Sequence, residues 1–227
     1  MGKPIKGAMD EILKEREKQE NQIPQKSQTQ INAPNLDGFI YVPSVDLYFQ
    51  KEKQFNGSTW VQADKELRRQ NLRMPTIEEF RQFLIYLKQN QSNKNGRIYE
   101  DIIEAKGISH AEWLEAFFEK RTKHLRSEMY MYYTGGFHSE KLEDCLMKKN
   151  GYGVDIDEWL NDATKQGLPK PNIKKGSLYY LSPQNNTVAG FHITSGEAIL
   201  NCHMNPSISD VSIGVRGVLE GAGAKTK

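Results

Sequence analysis

The chain lacks the features that mark a membrane-spanning, secreted or metal-built protein. No apolar run approaches the ~20 residues that a membrane helix needs, and the mean hydropathy is −0.71. Its opening, MGKPIKGAMDEILKEREKQENQ, has no apolar core of a secretory signal, so the chain is expected to fold in a cytosol. Gly2 begins a myristoylation-like stretch, but Lys6 stands where Ser or Thr belongs. Cysteine is scarce: Cys145 and Cys202 lie far apart and outside any C-x-x-C pair, which leaves zinc and dithiol chemistry unsupported. A single disulfide between the two stays open. Neither charge dominates, with 31 basic against 29 acidic residues and a net charge of +2. With no basic stripe, nucleic acid is not the expected partner.

Catalytic signatures are missing too. His110, His124, His138, His192 and His203 form no metal-binding spacing, and the adjacent Cys202–His203 pair is too little for a site. There is no P-loop, dinucleotide fingerprint or nucleophile elbow. GYGVDIDEW places acids at Asp155, Asp157 and Glu158 but lacks the length and closing Glu of an EF-hand loop. Acids that favour a helix start are the better reading. No metal, cofactor or general acid–base pair is expected, and the chain does not read as an enzyme.

What is present is enough for a core: 37% hydrophobic and 10% aromatic residues over 227 positions. Residues 1–35 are rich in Gln, Lys and Glu and read as a polar N-terminal arm or linker. Within them Ala8, Met9, Ile12 and Leu13 make one short helical stripe. A domain is expected over 36–220 and a flexible tail over 221–227. GFIYVPSVDLYFQ (38–50) has strand character. In NLRMPTIEEFRQFLIYLKQ (71–89), Thr76 and Glu79 make a capping box, and Ile77, Phe80, Phe83, Leu84 and Leu87 recur at helical spacing. A second helix is expected over 107–126, with Ser109 as cap, Glu112 three later, and Trp113, Leu114, Phe117 and Phe118 as its buried face. MYMYYTGG reads as a strand whose Tyr130, Tyr132 and Tyr133 serve core or binding rim. VDIDEWLNDATKQGLP reads as a short helix ended by Gly167 and Pro169. SLYYLS, VAGFHI, AILNCH and SIGVRGV are short strands separated by turn residues. Two early helices, short antiparallel strands and long irregular loops make an α+β layout.

Two stretches carry a family resemblance. NLRMPTIEEFRQFL (71–84) resembles the Pro-Thr-x-x-Glu segment of C-type-lectin-like folds of the formylglycine-generating-enzyme type, and SIGVRGV (212–218) resembles their closing strand. From Ser195 to Val218 the order SG, NPS and IGVRGV is similar to the mutable C-terminal segment of variable proteins of diversity-generating retroelements, including phage tropism determinants. The catalytic cysteine motif of the enzymes and the calcium-site signatures of sugar-binding lectins are missing.

The resemblance implies a C-type-lectin-like fold with a variable region near 188–216. In such proteins reverse transcription alters template adenines, so Asn-type codons become many residue types on a ligand-facing surface. Carried onto this sequence, the implied variable positions are His192, Thr194, Glu197, Ile199, His203, Met204, Ile208, Asp210 and Ser212. Glu197 and Met204 lie outside the set that an Asn codon reaches through adenine changes. Leu200, Asn201 and Cys202 are expected to be scaffold. Ile213, Val215 and Val218 are expected in the core, Gly214 and Gly217 at close backbone approaches, and Arg216 in a buried pair. The implied partner is a host or cell-surface protein or glycan, met from a virion surface; alternative locations are the cytoplasm or a cell surface. A formylglycine-generating-type enzyme and a structural particle subunit are the alternative functions. Without the family, 203–212 reads as a surface loop.

Overall fold

Strand propensity near the start of the domain is cut by a turn. FIYV and LYFQ form β1 (Phe39–Val42) and β2 (Leu47–Gln50), an antiparallel pair joined through Asp46 at positive φ. The computed structural model describes residues 36–91, 96–104, 110–123, 126–133, 138–194 and 196–221. The arm over 1–35, the Ser109 cap, Ser195 and the tail after Gly221 lie outside the described residues.

Three helices follow. The first, α1 (Trp60–Arg69), opens with a capping box between Thr59 and Gln62. The second, α2 (Ile77–Gln89), opens with the expected box: the Thr76 hydroxyl accepts from Glu79 N–H, and the Glu79 carboxylate accepts from Thr76 N–H at 2.8 Å. These contacts satisfy N–H groups that a helix start otherwise leaves unpaired. The third is α3 (Gly96–Glu104). The five apolar residues expected on the inner face of α2 are all buried.

The segment expected as a second helix is a strand, β3 (His110–Lys123). Its residues from Ala111 to Phe118 are buried without a break, which a one-faced surface helix does not produce. A central strand covered on both faces reads as a near-continuous apolar run, so Trp113, Leu114, Phe117 and Phe118 satisfy helical spacing by coincidence. An irregularity between Trp113 and Phe117 shifts the register against the neighbouring strand.

β3 is the spine of an eight-stranded sheet. On one side it pairs with β8 (Thr187–Thr194). On the other, β4 (Arg126–Tyr133) pairs with its second half, and the short β10 (Ile213–Val215) runs parallel to Ala111–Trp113. Beyond β4 lies β5 (His138–Lys141). Beyond β8 come β9 (Glu197–Met204), then β7 (Leu178–Leu181) and β6 (Tyr152–Val154). A short helix, α4 (Ile156–Asn161), starts at the Asp155 cap with Asp157 and Glu158 in its first turn, as expected of those acids. It stops well before Gly167, which instead takes a left-handed turn at φ 81°.

The last strand, β11 (Val218–Glu220), returns to β2 and completes a three-stranded sheet. α2 sits between the two sheets: Phe83 stacks on Phe49 at 4.5 Å, and Phe80 meets Phe191 at 5.3 Å. Trp159 stacks on the same Phe191 at 6.4 Å. Trp60, Trp113 and Trp159 are all buried. The layout is α+β, with a mixed main sheet, three helices ahead of β3 and a short fourth after β6.

Candidate ligand-binding face

The C-terminal third divides its residues by strand alternation. On β8, Ala189, Phe191 and Ile193 enter the main core; on β9, Ala198, Leu200 and Cys202 do the same. The intervening positions fall on the opposite face, and these include most of the sequence-nominated set. Register fixes them as neighbours: His192 lies opposite Ile199, and Thr194 opposite Glu197. One cross-strand row runs through Gly153, Tyr179, Ile199, His192, Ala111 and Ile213, spanning β6, β7, β9, β8, β3 and β10.

Exposure is uneven along this face. Thr194 and Glu197 are open, and His192 is half-buried. Ile199 and Met204, which the resemblance places on the ligand-facing surface, are 8% and 7% exposed. The physical reason is local. Ile199 is walled by its row neighbours Tyr179 and His192, and Met204 fills the space above Gly190, where an added Cβ would stand 2.5 Å from the Met204 sulfur. Those two side chains form the floor of the face and leave its contact area to others.

A bulge turns the end of β9. Between the Gly190–Asn201 and Val188–Met204 pairs, β9 carries one residue more than β8. The Asn201 carboxamide oxygen accepts from His203 N–H at 3.0 Å, and Gln184 Nε2 lies 3.4 Å from His203 Nδ1. His203 is half-buried. Burial pushes both the His192 and His203 rings below the ordinary imidazole range.

The loop from 205 to 212 is fixed by its own polar side chains. Asn205 Oδ1 accepts from Ser207 N–H at 2.9 Å, and Asp210 Oδ1 accepts from the Ser212 N–H at 2.8 Å and hydroxyl at 2.7 Å. The two Ser212 bonds hold the Asp210 carboxyl below its usual range. Pro206 O accepts from Trp60 N–H at 3.2 Å, the Ser209 hydroxyl donates to Gly57 O, and Lys53 Nζ donates to Ser212 O at 2.6 Å. Burial pushes the Lys53 ammonium down, against the pull of Glu112. So held, the loop presents Ile208 at 42% and Val211 at 84% exposure, with Asp210 open and Ser212 half-buried.

Just past β10 the chain makes a buried ion pair. Arg216 donates to Glu112 through Nη2 at 2.7 Å and Nε at 3.1 Å, and its Nη1 reaches Gln50 O at 2.7 Å and Lys51 O. His110 Nε2 lies 2.8 Å from the same carboxylate. Gly214 and Gly217 admit close neighbours: a Cβ at Gly214 would press on Asn56 Oδ1, and one at Gly217 would meet Gln50 Oε1 at 2.7 Å.

Two contributors escaped the sequence reading. Tyr179, 39% exposed, flanks Ile199 on the open face; the alternation in LYYL, with Tyr180 fully buried, was the signal available. Val211 carries no such signal, because loop position alone sets its exposure. Cys145 and Cys202 are both free and buried, and burial pushes both thiols up, Cys145 to about 11. Among the described residues no group of three or more His, Cys, Asp or Glu side chains is placed to hold a metal ion. No helix there is long and apolar enough to cross a membrane. Compared with known proteins, the chain matches no family model, no curated protein and no solved structure.

Proposed function

We propose that this chain is a ligand-binding display protein: a C-type-lectin-like scaffold whose C-terminal face carries exchangeable residues, in the manner of variable proteins of diversity-generating retroelements. One observation carries the reading. Between Phe191 and Leu200 the nominated positions on β8 and β9 alternate with core residues, so His192, Thr194 and Glu197 share the face opposite Phe191, Ile193 and Ala198. Change at such positions leaves the core contacts intact. The loop that adds Ile208 and Asp210 is held by backbone bonds and by the Asn205 and Asp210 side chains, which leaves Ile208 free for contact and Asp210 exposed while its carboxylate holds Ser212.

The partner is a host or cell-surface macromolecule, protein or glycan, met through a shallow surface of mixed chemistry. Modest affinity per face is offset by presenting several copies on one particle. Catalysis through Cys202 has no support in its surroundings, since a reactive thiol needs access and a lowered pKa. The test is genomic. A near-copy of the DNA encoding 190–218, differing only at adenines and lying beside a reverse-transcriptase gene, is the expected finding. A locus without either removes the retroelement reading.

A further inference from the structure

We infer that the free edge of β4 and the cavity beside it form a docking site for an extended peptide, distinct from the 192–212 face. The peptide would carry an aliphatic side chain with a basic residue two positions away. β4 runs from Arg126 to Tyr133, but β5 registers only with Tyr130–Tyr133. The last bond along that edge is from Leu142 N–H to Met129 O, at 2.9 Å. The chain then turns away: Leu142, Cys145 and Leu146 join the core, and Leu146 N–H bonds to Pro169 O at 2.8 Å. By strand alternation Ser127 aims its backbone N–H and C=O to the same edge as Met129. Among the described residues no strand pairs with it there. Such an edge is a template for one more strand.

The cavity lies against this edge and measures about 580 Å³, within the range of ligand pockets. Met129, Leu142, Cys145 and Met147 supply its apolar wall. Met147 is 50% exposed, and unbranched thioethers adapt to aliphatic partners of varied shape. The charges around the cavity choose the peptide. Lys141 is engaged by Glu128 at 2.5 Å, and Glu143 and Asp144 also line the cavity. Glu143 receives only the Lys165 backbone N–H at 3.1 Å and its Nζ at 3.9 Å, and Asp144 has no ion pair among the described residues. With Glu128 paired to Lys141 and Glu143 near Lys165, the exposed Asp144 is the lining carboxylate that has no ion pair among the described residues, and a basic side chain is its complement. In a strand, residues two apart share a face, so the aliphatic group enters the cavity and the basic group reaches the Glu143–Asp144 lip.

The probe is a fluorescein-labelled Thr-Leu-Thr-Lys-Thr peptide, titrated by anisotropy into the full chain, with a second peptide N-methylated at Leu and the following Thr. The first should bind with Kd below about 1 mM and shift the Ser127 and Met129 amide resonances. N-methylation should weaken binding about tenfold or more, because it removes a main-chain donor. Met147→Glu and Asp144→Lys change exposed side chains, and circular dichroism checks that both fold; each should weaken binding about tenfold. The inference is overturned if the peptide does not bind up to about 1 mM, if N-methylation and both substitutions leave binding unchanged, or if sedimentation shows a second copy of the chain seated on this edge.

Discussion

Replacing Arg216 with methionine would leave the Glu112 carboxylate in the interior without its cation. Both side chains are almost fully buried, and two charge-assisted bonds join them, at 2.7 and 3.1 Å. Removing one partner of a buried pair costs about 3–5 kcal/mol. The carboxyl's own titration points the same way. Burial alone would push the Glu112 carboxyl up, but Arg216 and then His110 outweigh it and hold the group down at about 2, against an ordinary 4.5. The sign follows from the lowered value. The contribution is fully present above about pH 4.5 and is lost as pH falls towards about 2. Urea unfolding, followed by the fluorescence of the three tryptophans, measures it directly. Arg216→Met should lose about 3 kcal/mol or more at neutral pH. Combining it with Glu112→Leu should recover part of that loss, since no uncompensated charge then remains. A loss below about 1 kcal/mol for Arg216→Met, or a double variant worse than the sum of the singles, would refute the reasoning.

Other outcomes follow from the same geometry. Gly214→Ala should destabilise by about 1–3 kcal/mol in thermal melting, because its Cβ would press on Asn56 and on Gln54 O, the partner of Val215; an unchanged Tm would show that the loop yields freely. Thr76→Ala should cost about 1 kcal/mol through loss of the α2 capping box, with chemical denaturation as the check. Cys145 and Cys202 should resist alkylation by iodoacetamide at neutral pH until the chain is unfolded; fast labelling of the native protein would place a thiol at the surface.

Local chemistry was legible in the sequence and long-range pairing was not. The α2 helix could be read because its cap, its acids and its apolar period all lie within one short stretch around Thr76 and Glu79. The Thr59–Gln62 box of α1 carries the same kind of local signal. β3 carries helix-like apolar spacing because burial on both faces erases the two-residue alternation that marks a half-exposed strand. The buried role of Arg216 followed from its place in an apolar closing strand, but its partner, 104 positions away, left no local trace. Within the candidate face, Thr194, Glu197, Ile208 and Asp210 sit outward as expected. Ile199 and Met204 do not, because cover from Tyr179 and the space above Gly190 depend on strands brought together only by folding.

The division of labour between alternating positions is tested most directly by two randomised libraries, each scored for the folded fraction by protease resistance. One varies His192, Thr194, Glu197, His203 and Ile208; the other varies Phe191, Ile193, Leu200 and Cys202. The account predicts that most members of the first remain folded, with exposed changes within about 0.5 kcal/mol each, and that most of the second unfold. Equal losses in both libraries would contradict it.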